Sequence, residues 1–221
     1  MNRILLASLM ALFLACGAGA QRRGSRGSGR DSGESPPLAK TETEKKILAT
    51  LDSAVKAGEL YANVPPADGR MLRILAETLN AKQVVEIGTS TGLSGLWISM
   101  ALDKTGGKLM TFEIDPGRAA TARKHFKEAG VEHLVQIVEG DAHQNIAKVK
   151  GPIDMVFLDA EKDGCVDYLN KLLPQVRAGG LILAHNTDMV ADYLKHVAAN
   201  PDLETVIYTT GGGMSVTLKK R

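Results

Sequence analysis

The stretch that decides the fold is Val84-Val85-Glu86-Ile87-Gly88-Thr89-Ser90-Thr91-Gly92-Leu93-Ser94. A short β-branched run ends in two glycines and opens directly into an apolar helical pattern. Gly88 and Gly92 allow a tight turn and close approach of backbone to a ligand, and the helix that follows offers free N–H groups. The spacing is G-x-x-x-G. It is neither the G-x-G-x-x-G of dinucleotide folds nor a phosphate loop, which needs Gly-Lys followed by Ser or Thr. A nicotinamide dehydrogenase is disfavoured on that ground.

Downstream the same grammar repeats. β-rich runs at residues 83–87, 108–112, 135–138, 155–158 and 181–184 alternate with helical patterns at 94–102, 116–129, 143–149, 166–173 and 188–199. Strand and helix in alternation predict parallel strands joined by crossovers. Two last runs, 205–208 and 214–218, flank Gly211-Gly212-Gly213 with no room for a helix, so they should pair antiparallel. The predicted fold class is α/β: a doubly wound, mostly parallel seven-stranded Rossmann-like sheet with an antiparallel last strand. Upstream, Thr41-x-x-Glu44 has capping-box spacing before a helical pattern through Ile47, Leu48, Leu51, Ala54 and Val55. A second helix is predicted over residues 67–79.

In such sheets ligands sit at the carboxyl ends of the strands. Glu86 lies just before the loop, where a carboxylate opposes a pyrophosphate but suits a cationic group. Glu113 ends the second strand, placed to accept from both hydroxyls of a ribose. Asp141 and Ala142, after the third strand, are placed to meet an adenine. A nucleoside with a positive, phosphate-free substituent satisfies these positions together, and S-adenosylmethionine is that molecule.

The chain has 221 residues with 44% hydrophobic, 24% charged and a formal net charge of +2, a balance that argues against a nucleic-acid partner relying on phosphate neutralisation. Residues 1–20 have a basic head, about a dozen apolar residues and a small-residue exit, the layout of a secretory signal. That run falls short of the roughly 20 residues a membrane-spanning helix needs. Export to the periplasm or the exterior is expected, with Cys16 as a candidate lipid-attachment site. A mature chain would keep only Cys165, which excludes an internal disulfide. Residues 21–40 read as a Gly/Ser/Arg linker, with Arg22, Arg23, Arg26 and Arg30 making it basic. The domain itself is expected over residues 41–221.

Four segments in order carry a resemblance: Asn63-Val64-Pro65-Pro66-Ala67-Asp68-Gly69, the glycine loop from Glu86 to Ser94, Thr111-Phe112-Glu113-Ile114-Asp115-Pro116, and Asp154-Met155-Val156-Phe157-Leu158-Asp159-Ala160-Glu161-Lys162-Asp163. The set resembles the cation-dependent O-methyltransferases, the group of catechol and caffeoyl-coenzyme A O-methyltransferases. The resemblance implies a class I methyltransferase fold, S-adenosylmethionine as methyl donor, and a small hydroxylated, catechol-like acceptor. It implies that Val64 lies beside the methionine moiety and that Gly88 and Ser94 line its carboxylate end. Glu113 would hold the ribose, Ile114 and Ala142 the adenine, and Asp159 would lie near the sulfonium.

In that family an Asp after the fourth strand and an Asp-Asn pair after the fifth hold a divalent cation, and a Lys is the base. Asp159 and Lys162 match, but the pair here is His185-Asn186. His185 is therefore open to three readings: a metal ligand with Asp159 and Asn186, a general base, or neither. An imidazole in place of a carboxylate weakens a hard ion such as magnesium and suits manganese, iron or zinc better.

The link from Asn186 to the next helix is short, so a more open acceptor pocket is expected, or one completed by the 41–61 helix or by a homodimer partner. Trp97 and Tyr61 are candidate aryl walls, although Trp97, inside a helix, reads first as a core residue. An exported methyltransferase stands in tension with a donor made in the cytosol. That tension motivates the alternative of an exported, non-catalytic nucleoside-binding or interaction module on the same fold.

Overall fold

The computed structural model describes residue 35, residues 37–59 and residues 62–221. The expected signal peptide, Cys16, the four arginines of the expected linker and Tyr61 lie outside the described residues. Among the described residues no helix is long and apolar enough to cross a membrane.

Elements run in the order α1 (Glu42–Lys56), α2 (Pro66–Thr78), β1 (Gln83–Ile87), α3 (Leu93–Thr105), β2 (Lys108–Glu113), α4 (Pro116–Glu128), β3 (Val135–Glu139), α5 (Ala142–Asn145), β4 (Ile153–Leu158), α6 (Cys165–Leu172), β5 (Val176–His185), α7 (Ala191–Ala198), β6 (Leu203–Tyr208) and β7 (Met214–Lys219). The sheet has seven strands in the order β3-β2-β1-β4-β5-β7-β6. The first five are mutually parallel, and β7 runs antiparallel to both β5 and β6. The order reverses between β1 and β4, which opens a crevice at their carboxyl ends.

Alternation along the strands feeds two cores. Val84, Leu109, Met155 and Phe157 face α1 to α4, whereas Val85, Phe112, Val156 and Leu158 face α6 and α7. Every residue of β4 is buried, as expected for a central strand covered on both faces.

Local differences from the sequence reading have physical causes. β4 begins earlier than the apolar run, because Asp154 is used as a cap. Its Oδ2 accepts from the N–H groups of Lys82 and Gln83 at 2.7 and 2.9 Å, and Arg177 pairs with its Oδ1 at 2.5 Å. The pattern at 143–149 is only one α-turn followed by a 3-10 turn. α7 starts at Ala191, after a turn at Asn186, whose backbone is left-handed (φ 57°) and whose carbonyl accepts from Met189 N at 2.8 Å. The capping box of α1 forms in altered form: Thr41 Oγ1 accepts from Glu44 N, while Glu44 Oε2 accepts from Lys40 N. Glu44 also pairs with Arg73 at 2.8 Å, fastening α1 to α2.

Candidate active site

The glycine loop is built by close backbone approach. Gly88 has φ 102°, and a Cβ there would lie 2.5 Å from the carbonyl oxygen of Asp159. Only glycine lets the β1 and β4 ends come this near. Ser90 is also left-handed (φ 48°), and its N–H donates to Glu113 Oε2 at 2.7 Å. Asp115 N donates to Glu113 Oε1 at 2.9 Å. Each oxygen of Glu113 is thus oriented by one backbone donor and keeps capacity for another. The hydroxyl of Ser90 is buried and has no hydrogen-bond partner, an orphan that a ligand in this crevice would satisfy.

Glu86 is placed differently from the sequence expectation. It is fully buried beneath the loop, accepting from Ser94 Oγ at 2.5 Å and from Thr111 Oγ1 at 2.6 Å. The β1–β2 register, Glu86 opposite Thr111, sets the second contact. Burial pushes the Glu86 carboxyl up to about 7, against the two hydrogen bonds. Glu86 and Ser94 therefore brace the loop from behind, and neither side chain faces the crevice freely. Val64 is buried at the start of α2, and Ile114 is 73% exposed beside Glu113, an apolar surface open to a flat base.

The third strand end is also tied down. Asp141 caps α5 through His143 N at 2.8 Å. His143 bonds Asp167 Oδ2 at 2.5 Å and Glu161 Oε1 at 2.8 Å and stacks on Tyr168. This fastens the Asp141–Ala142 loop to the loop that carries Lys162.

At the other end of the crevice four charged groups form a chain. Lys162 Nζ lies 2.8 Å from Asp159 Oδ1, and Asp159 Oδ2 lies 3.3 Å from His185 Nδ1. His185 Nε2 lies 2.8 Å from Asp68 Oδ2. Exposure of the side chains falls from 16% at Lys162 and Asp159 to 4% at His185 and none at Asp68, so the chain opens toward solvent at the lysine. Burial alone would depress the His185 imidazole, but hydrogen bonds to Asp159 and Asp68 and their charges outweigh it and raise it to about 9. The raised value favours the imidazolium, with Nε2 facing Asp68 and Nδ1 facing Asp159.

Asp68 is the site residue that sequence reasoning missed. Its motif was quoted, but nothing local gave the carboxylate a partner. The partners come from β5 and from the β6–β7 loop, where Gly212 N donates to the same Oδ2 at 2.7 Å. A Cβ on Gly212 would lie 2.5 Å from His185 Nε2, so this loop closes directly over the ring. Trp97 is a core residue rather than a pocket wall: it is buried, and a Cβ on Gly69 would meet its ring at 2.1 Å.

The donor set does not fit a divalent cation. Asp159 has one oxygen on Lys162 and the other facing His185, and Asp68 holds the remaining ring nitrogen. Among the described residues no group of three His, Cys, Asp or Glu side chains is placed to hold a metal ion. The residues do fit S-adenosylmethionine, through the oriented Glu113 oxygens, the orphan Ser90 hydroxyl and the close-packed Gly88 turn.

An open doubly wound sheet with a crevice at its switch point defines a class of ligand-binding α/β folds. The comparisons give the family. Residues 39–192 match the family model described as O-methyltransferase, and the chain belongs to that family. A catechol O-methyltransferase of Niastella koreensis is 39% identical over 144 residues, covering 63% of this chain and 65% of that protein. A catechol O-methyltransferase of Mycobacterium tuberculosis is 34% identical over 141 residues, covering 63% and 64%. The match thus spans a little under two thirds of these relatives' length. The O-methyltransferase TomG of Streptomyces achromogenes, solved in complex with SAM, shares the fold with a TM-score of 0.72 at 24% identity, covering 83% of this chain and 92% of that one.

Proposed function

We propose that this chain is an S-adenosylmethionine-dependent O-methyltransferase acting on a small hydroxylated acceptor of catechol type. The observation that carries the reading is the crevice itself. Glu113 is held by two backbone donors with acceptor capacity to spare, beside a buried unpartnered Ser90 hydroxyl and the Gly88 turn. Membership of the O-methyltransferase family supports it.

S-adenosylmethionine, when bound, supplies the methyl group as an electrophile on a sulfonium centre. Glu113 and Ser90 would hold its ribose edge, Ile114 and Ala142 its base, and Val64 and the Gly88 turn its amino-acid end. Asp159 keeps a carboxylate near the positive end of the donor. Lys162, at the accessible end of the charged chain, takes the proton of the acceptor hydroxyl when in its amine form and returns it to solvent. The His185 imidazolium places fixed positive charge beside the oxygen that becomes anionic, which lowers the cost of forming the nucleophile.

Calorimetry with S-adenosylhomocysteine, followed by transfer of labelled methyl to a panel of catechols, tests this. Saturable binding and a methylated product are expected. Absence of binding by the folded wild-type protein would sink the assignment.

A further inference from the structure

We propose that Asp68, His185, Asp159 and Lys162 form a linked chain in which the His185 ring stands where a divalent cation would have to bind, so that this protein works without one. Its use in catalysis rests on the methyltransferase reading, whereas the chain of contacts does not depend on it.

Both faces of the ring are closed to an ion. On the Nε2 side, Asp68 Oδ2 lies at 2.8 Å and is itself fixed by Gly212 N at 2.7 Å. A side chain added at Gly212 would collide with the ring, which leaves no room there. On the Nδ1 side, Asp159 Oδ2 lies 3.3 Å away, and its other oxygen is held by Lys162. The ring thus stands between the two carboxylates, and of their four oxygens only Asp68 Oδ1 is without a partner. A carboxylate at position 185 would instead leave three acids around one ammonium, the excess negative charge that a divalent ion neutralises.

The test is direct binding of manganese to the full-length protein. Titration with manganese chloride, with and without S-adenosylhomocysteine, is followed by electron paramagnetic resonance of the free ion. Wild type is expected to show no saturable site and to keep its transfer activity in EDTA, while His185→Asp is expected to gain one ion per chain. Stoichiometric binding by wild type that His185→Ala abolishes would overturn the proposal. Nitrogen-15 spectra of the wild-type imidazole during the manganese titration give a second reading that needs no variant. Unbroadened His185 ring signals are expected, and selective broadening at one equivalent of manganese would overturn the proposal. Calorimetry with S-adenosylhomocysteine on the same samples reports separately on the cofactor crevice, so its failure is distinguishable from failure of the ion-pair chain.

Discussion

His185 Nε2 and Asp68 Oδ2 lie 2.8 Å apart although 117 residues separate them in the chain. One sits at the end of the last strand of the parallel block, the other in the first turn of a helix that precedes the sheet altogether. Their contact joins the two ends of the domain at the end of the crevice that carries Lys162.

Asp68→Ala should therefore be costly out of proportion to its size. Removing one partner of a buried ion pair strands the other, a loss of about 3 kcal/mol. Urea denaturation of wild type and variant measures it. The milder Asp68→Asn should leave S-adenosylhomocysteine affinity unchanged while slowing methyl transfer, because the ribose end of the crevice does not touch Asp68.

Stability should depend on pH through His185. Its folded value of about 9 exceeds the ordinary 6.5, so folding takes up a proton. The stabilisation is fully present below pH 6.5 and is lost as pH rises through 9. Thermal melts across that window should fall for wild type and stay flatter for His185→Gln. Parallel curves would refute the paired imidazolium.

Glu86 has the same sign at lower pH. Burial raises its carboxyl from 4.5 to about 7, so its contribution is greatest below 4.5 and disappears as pH climbs toward 7. Glu86→Gln should remove that slope and gain stability above pH 7, since the amide stays neutral between Ser94 and Thr111. Melts at pH 5 and pH 8 compare the two.

Two substitutions should empty the cofactor end. Glu113→Ala removes charge-assisted hydrogen bonds worth about 1.5–3 kcal/mol, a loss of S-adenosylhomocysteine affinity of about ten-fold or more by calorimetry. Gly88→Ala places a methyl 2.5 Å from the Asp159 carbonyl at a φ of 102°. It should weaken binding further and lower the melting temperature.

The alternation of strands and helices, the glycine turn and the acids at the strand ends were legible because they are local. A β-run, a Gly at positive φ and a helix start are set by residues within a few positions of one another. Glu113 is one such case: its strand end and its neighbour Asp115 are local, whereas Ser90 reaches it from 23 residues away. Glu86 was legible as a site residue, but its direction was not, since the β1–β2 register that turns it toward Thr111 is a pairing across 25 residues.

The sequence by itself determined the doubly wound sheet and the crevice at its switch point, and it marked Asp159, Lys162 and His185 as a group of strand-end residues beside it. Only the tertiary structure decided what that group is. The charge and hydrogen-bonding role of an imidazole depend on what faces each ring nitrogen, and here those partners arrive from α2 and from the loop after β4, with the Gly211–Gly213 turn fixing the first of them. No spacing in the chain encodes that meeting; it exists only once the helices and loops have packed against the sheet.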